Sequence, residues 1–140
     1  MLKQKAIGYV CDIPIPETDI VITKEDQRIR ILNYAQEENL ELIGMYEDEE
    51  YTDDFINRPG VQKILKSREG VEVLLVERVW CLSRKMKELS PFLDQLCKKN
   101  IELKTSSYLW DCASQQVRHY HLVEKLRKAR AEARRIKEAA

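Results

Sequence analysis

No apolar run in this chain approaches the roughly 20 residues needed to cross a bilayer, and Met1-Leu2-Lys3-Gln4-Lys5 lacks the hydrophobic region of a signal peptide. A cytoplasmic protein without membrane contact is therefore expected. Charge of one sign is not in excess either, since 24 basic and 24 acidic side chains leave a formal net charge of zero. The balance hides an asymmetry: positions 1–70 hold 9 basic and 15 acidic residues, and positions 71–140 hold 15 and 9. Any nucleic-acid surface belongs to the second half. Cys11, Cys81, Cys97 and Cys112 form no Cys-x-x-Cys pair, so a locally assembled zinc site is not expected. His119 and His121, two apart on a helix, do not share a face. The acidic run Glu47–Asp54 lacks the alternating ligands and the glycine of a calcium loop. No metal and no cofactor is expected, and the chain has no internal repeat or low-complexity segment.

What is there describes one globular domain. With 44% hydrophobic residues in 140, the chain can bury a sizeable core. Lys5–Cys11 is a short apolar run with a glycine, the pattern of a strand buried on both faces. Thr23 is placed to cap a helix, its hydroxyl accepting a backbone N–H while Asp26 brings negative charge to the positive end. Ile29, Leu32 and Ala35 carry the stripe of that helix to about Asn39. Leu40–Tyr46 reads as a second strand, Pro59–Ser67 as a helix with proline in its first turn, and Val71–Val76 as a buried strand. Ser83–Lys99 has Met86, Leu89, Phe92, Leu93 and Leu96 at helical spacing, with Pro91 expected to kink or restart it. Ile101–Leu103 is a fourth strand. The alternation predicts an α/β fold, a three-layer domain with a mostly parallel sheet of four to five strands flanked by helices.

After this α/β domain, residues 1–107, a long basic C-terminal helix is expected over 108–140, part of the same structural unit. Leu122, Leu126, Ala129, Ala133 and Ile136 step by four and three along it, the seam of a packed helix pair, and Tyr108, Leu109 and Trp110 extend the contact. Arg127, Arg130, Arg134 and Arg135 surround the seam. Either the seam meets a second chain, or the helix docks on its own domain and leaves the basic face in solvent.

Several short segments carry a family resemblance. Ile7-Gly8-Tyr9-Val10-Cys11-Asp12-Ile13, Asn57-Arg58-Pro59-Gly60 and Leu82-Ser83-Arg84 together resemble the catalytic domain of the serine recombinases, the resolvase and invertase family, over about residues 5–105. That family's first strand reads Gly-Tyr-hydrophobic-Arg-x-Ser; here Cys11 stands at the arginine and Ile13 at the serine. Gln27 falls where the family has Ser-Leu-x-x-Gln. Tyr46-Glu47-Asp48-Glu49-Glu50-Tyr51-Thr52 resembles its Tyr-x-Asp-x-x-Tyr-Ser, with Thr52 for the serine. Trp80-Cys81-Leu82-Ser83-Arg84 stands where the family has Asp-Arg-Leu-Ser-Arg.

The resemblance implies a resolvase-like fold whose long C-terminal helix forms a dimer interface and whose far end approaches DNA. It also implies a serine that attacks a DNA phosphodiester, with arginines that lower its pKa and hold the phosphoryl transition state. Ile13 has no nucleophilic atom, and Cys11, Trp80 and Cys81 replace polar partners, so no intact catalytic set is expected. Arg58 and Arg84 match arginines that contact the scissile phosphate, and Gln27, Asp48 and Thr52 match supporting positions. Together they make a vestigial phosphate site, unless Arg58 pairs with Asp48, Asp53 or Asp54 and Arg84 pairs locally. Cys11 and Cys81 occupy converging positions, so their thiols should be neighbours. They either fill an abandoned pocket with Ile13 and Trp80 or form a redox pair or metal site.

The resulting expectation is a catalytically inactive serine-recombinase-like protein that acts through homodimerisation, or through heterodimerisation with an intact serine recombinase, and modulates DNA recombination. Weak non-specific DNA contact by the basic helix goes with it. The alternatives are an active site-specific recombinase fragment that cleaves and rejoins DNA, and a DNA-binding accessory protein that uses its basic C-terminal helix.

Overall fold

A computed structural model describes residues 3–67, 70–107 and 112–139. Tyr108, Leu109 and Trp110, and with them the expected boundary at residue 108, lie outside the described residues. Strand β1, Lys5–Cys11, is buried from Ala6 to Cys11, as its unbroken apolar run requires. Two short strands follow, β2 (Ile13–Pro14) and β3 (Val21–Ile22), paired antiparallel in a ribbon that no periodicity in the sequence announces. Helix α1, Lys24–Glu37, begins at Thr23, whose Oγ1 accepts the Asp26 N–H at 3.2 Å. It ends where Asn39 turns to φ 56° and the Leu40 N–H bonds the Ala35 carbonyl at 2.8 Å. Then come β4 (Glu41–Asp48), α2 (Pro59–Leu65), β5 (Val73–Val76), α3 (Met86–Lys98), β6 (Glu102–Thr105) and α4 (Cys112–Ala139).

One four-stranded sheet, in the order β4-β1-β5-β6, is parallel at every pairing. All four strands therefore point their C-terminal ends to the same edge, which brings Cys11 and Asp48 together with the turn after β5. On one face Ile7, Tyr9, Cys11, Leu74, Val76 and Leu103 pack with α2 and α3. On the other, Ala6, Val10, Val73 and Leu75 pack under Ile31 and Ala35 of α1. Helices on both faces make the three expected layers. Among the described residues no helix is long and apolar enough to cross a membrane.

Two expectations need correction. The buried stripe of α1 is Gln27, Ile31 and Ala35, while Ile29 and Leu32 are 55% and 49% exposed. A four-residue step from the polar but buried Gln27 sets the phase of this helix, and apolar character alone misplaces it. Pro91 does not restart α3, which runs unbroken from Met86 to Lys98. A proline inside a helix costs about 3 kcal/mol. Leu89, Phe92, Leu93 and Leu96 are all fully buried along α3, and at roughly 1.5–3 kcal/mol each their burial outweighs that cost.

Candidate functional site

The C-terminal edge of the sheet gathers the positions that the sequence singles out. Gln27, buried at the start of α1, spans the end of β1: its Nε2 donates to the carbonyls of Cys11 (2.6 Å) and Ile22 (3.0 Å), and its Oε1 accepts the Cys11 N–H at 3.3 Å. It holds the backbone of the strand end, with no side-chain hydrogen left for a ligand. Asp48 closes β4. Its Oδ1 accepts the Gly60 N–H at 2.8 Å and its Oδ2 accepts the Tyr9 hydroxyl at 2.8 Å. Only glycine fits at position 60, because a Cβ there would lie 2.7 Å from Asp48 Oδ2 and 2.8 Å from the Glu47 carbonyl.

Arg58 sits at the centre, 2% exposed, and pairs with no carboxylate, so the alternative of an ion pair with Asp48, Asp53 or Asp54 is not what the structure shows. Its Nε donates to Thr52 Oγ1 (3.3 Å); Nη1 donates to the Tyr9 hydroxyl (3.2 Å) and the Cys81 carbonyl (2.6 Å); Nη2 donates to the carbonyls of Thr52 (2.6 Å) and Leu82 (3.4 Å). All five N–H groups are thereby used. The guanidinium also lies 4.6 Å from the centroid of the Tyr51 ring, and the Tyr51 hydroxyl donates to the Trp80 carbonyl at 3.2 Å. Tyr9 bridges Arg58 and Asp48, its hydroxyl accepting from one and donating to the other. Burial pushes the Tyr9 pKa far up, so the phenol stays neutral in this chain.

Around Arg58 the pocket is apolar. Cys11, Ile13 and Cys81 are each 0% exposed and belong to one core with Val79 and Leu82. Burial pushes both thiols up from the ordinary cysteine range and Arg58 offsets part of the rise; Asp48 and Asp12 add to it at Cys11, and Cys11 and Glu77 add to it at Cys81. Both are free and protonated at neutral pH, small apolar side chains rather than nucleophiles. Among the described residues no group of three His, Cys, Asp or Glu side chains could hold a metal ion. Ser83 donates to Glu88 at 2.7 Å and accepts the Lys85 N–H at 3.1 Å, which ties it to the start of α3. Arg84 is exposed and stacks on Trp80, its guanidinium carbon 4.5 Å from the ring centroid. Arg58 thus faces inward with its hydrogens used, while Arg84 lies outside against an indole.

The long helix α4 is docked by one face only. Val117 and His121 are buried, and Tyr120 donates to Asp94 of α3 at 2.5 Å. The seam lies on a different face, with Leu122 54%, Leu126 48% and Ile136 58% exposed, and Ala129 and Ala133 exposed between them. Arg127 and Arg135 pair with Glu124 (2.8 Å) and Glu132 (2.5 Å) on the helix surface, and Arg130 and Arg134 are exposed.

A sequence profile described as "Resolvase, N terminal domain" matches residues 19–138. The chain belongs to the resolvase N-terminal domain family. The profile match begins beyond Cys11 and Ile13, so the end of β1 lies outside it. Three solved structures share the fold. The N-terminal catalytic domain of TP901-1 integrase is 17% identical with a TM-score of 0.63, over 89% of this chain and 97% of that one. The C-terminal catalytic domain of ISC1926 TnpA, an IS607-like serine recombinase, is 19% identical with a TM-score of 0.61, over 87% and 78%. A resolvase family site-specific recombinase from Streptococcus pneumoniae is 15% identical with a TM-score of 0.58, over 98% and 96%. No curated protein matches the chain. In this resolvase-like serine recombinase domain, the residues that sequence reasoning missed are Tyr9, which links Arg58 to Asp48, and Gly60, which lets α2 approach β4. Both lie inside the quoted motifs, so their places were visible and their contacts were not.

Proposed function

We propose that this chain is a serine recombinase domain without DNA-cleaving chemistry, which acts by associating through α4 with a second copy or with an intact family member and so modulates recombination. The observation that carries this reading is the state of the strand-end pocket. Ile13 and Cys81 are fully buried, and every N–H of Arg58 is held by an internal oxygen. A phosphate would have to displace a carbonyl or hydroxyl from Arg58 and would meet no attacking atom. Loss of one preorganised donor typically lowers a rate by about 10²–10³. Loss of the atom that becomes covalently attached removes the route itself, which favours this reading over that of an active fragment. Association is favoured by the apolar seam, which stays in solvent while another face of α4 is docked. A cytoplasmic setting belongs to the same reading, and free Cys11, Cys81 and Cys97 suit a reducing compartment.

A DNA-binding accessory role is a second reading, favoured by the exposure of Arg127, Arg130, Arg134 and Arg135 along one helix. Binding of that kind would be non-specific and fall steeply with salt.

The chemistry is tested by incubating the wild-type protein and Ile13→Ser with DNA that an intact family member cleaves, then looking for a covalent protein–DNA adduct. Neither protein should give one, because residues of a catalytic unit act together. An adduct with either would overturn the inactive reading.

A further inference from the structure

Strand β6 is at the edge of the sheet, so its outward N–H groups need partners other than a strand. The Leu103 N–H finds one in His121 Nε2 at 3.1 Å, on a side chain that is 8% exposed. An imidazole nitrogen accepts a hydrogen bond only when it carries no proton. Docking of α4 thus requires a neutral His121 with its hydrogen on Nδ1. Val117 in the core and Tyr120, which donates to Asp94 of α3, hold the turn before it, whereas the other contacts to β6 are polar: Arg118 donates to Thr105 at 3.4 Å, Lys125 pairs with Glu102 at 2.7 Å, and beyond Glu124 the helix is exposed. Clefts of about 800 and 420 Å³ lie on either side of His121, one towards the N-terminal ends of β5 and β6, the other between α4 and α1. The helix has room to move away.

We propose that His121 is a proton-operated latch: protonation turns Nε2 from acceptor to donor against the Leu103 N–H and releases the docked part of α4 from β6, leaving helix and sheet intact. The latch concerns how α4 is held, whatever the helix meets. Around the ring, Glu102 of β6, Glu124 of α4, Glu38 of α1 and Glu72 ahead of β5 favour the cation. Lys104 of β6, Arg118 and Lys125 of α4, and Lys98 at the end of α3 oppose it. Burial weighs most and holds the His121 pKa below its ordinary value; Glu102 counters and Lys125 adds to the fall. A released helix exposes a histidine that binds protons more readily than the docked one. Docking is therefore firm above the ordinary histidine range near 6.5 and weakens as pH falls below it.

The chain has two histidines, His119 and His121, whose ring signals are told apart by their loss in the His121 variants. Amide exchange at Leu103, corrected for its intrinsic pH dependence, is followed by NMR at about pH 7.5 and about pH 5 in the wild type, His121→Gln and His121→Arg. Glutamine retains an acceptor oxygen and does not titrate; arginine is always charged. Wild-type protection at Leu103 should fall several-fold to about tenfold at the lower pH, the order of one lost buried hydrogen bond. Leu74 in the central sheet should keep its protection. His121→Gln should show no pH dependence at Leu103, and His121→Arg should show low protection at both pH values. Equal wild-type protection at the two pH values, or the same fall in His121→Gln, overturns the latch. If the variants do not fold, the wild type still decides: the His121 ring and the Leu103 amide must titrate together.

Discussion

Arg58 stands where the resemblance to serine recombinases implies a phosphate contact, yet in this chain its bonds all run inward. A buried guanidinium without a carboxylate is tolerable because three carbonyls and two hydroxyls share its five hydrogens, and the Tyr9 hydroxyl bridges it to Asp48. The position of Arg58 was legible from Asn57-Arg58-Pro59-Gly60. Its saturation was not, because motif spacing places a side chain without counting its hydrogen bonds. Cys11, Ile13 and Cys81 were equally legible as departures from the motifs they resemble, and the structure adds that all three are fully buried. The Tyr9 bridge gives a direct expectation. Tyr9→Phe keeps the ring but leaves Asp48 Oδ2 without a donor, at a cost of about 1–3 kcal/mol. Urea unfolding should show the lowered midpoint with an unchanged slope. A stability equal to that of the wild type would mean that the Arg58–Tyr9–Asp48 chain contributes nothing.

Elements were readable wherever a long run carried one pattern. Lys5–Cys11 reads as a strand because no polar residue interrupts it, and α1 begins at Thr23 because hydroxyl and carboxylate stand at the spacing a cap needs. The ribbon of β2 and β3 escaped because two-residue strands show no period. In α3, tertiary burial overrides the local effect of Pro91, an exposed residue on the outer face of the helix. Replacing it by alanine restores a backbone N–H and removes the clash with the preceding turn. Pro91→Ala should therefore stabilise the protein, by up to about 3 kcal/mol. Calorimetry would register this as a higher Tm; a lower one would show that the proline is needed to shape the helix.

At the scale of the whole molecule, the strand-end cluster around Arg58 and the exposed seam of α4 lie apart. The pocket at the strand ends is packed, while α4 extends beyond its docked face with leucines and arginines in solvent. Because Leu122 and Leu126 are about half exposed in the single chain, changing them to aspartate should leave its fold intact and act only on an interface. Buried there without partners, the two charges would cost several kcal/mol. Sedimentation velocity on the wild type and Leu122→Asp/Leu126→Asp, alone at tens of micromolar and mixed with an intact serine recombinase, tests association most directly. The wild type should sediment as a dimer in one of these settings and the double variant as a monomer in both. A wild type that stays monomeric alone and in the mixture would contradict the claim that this domain acts through α4.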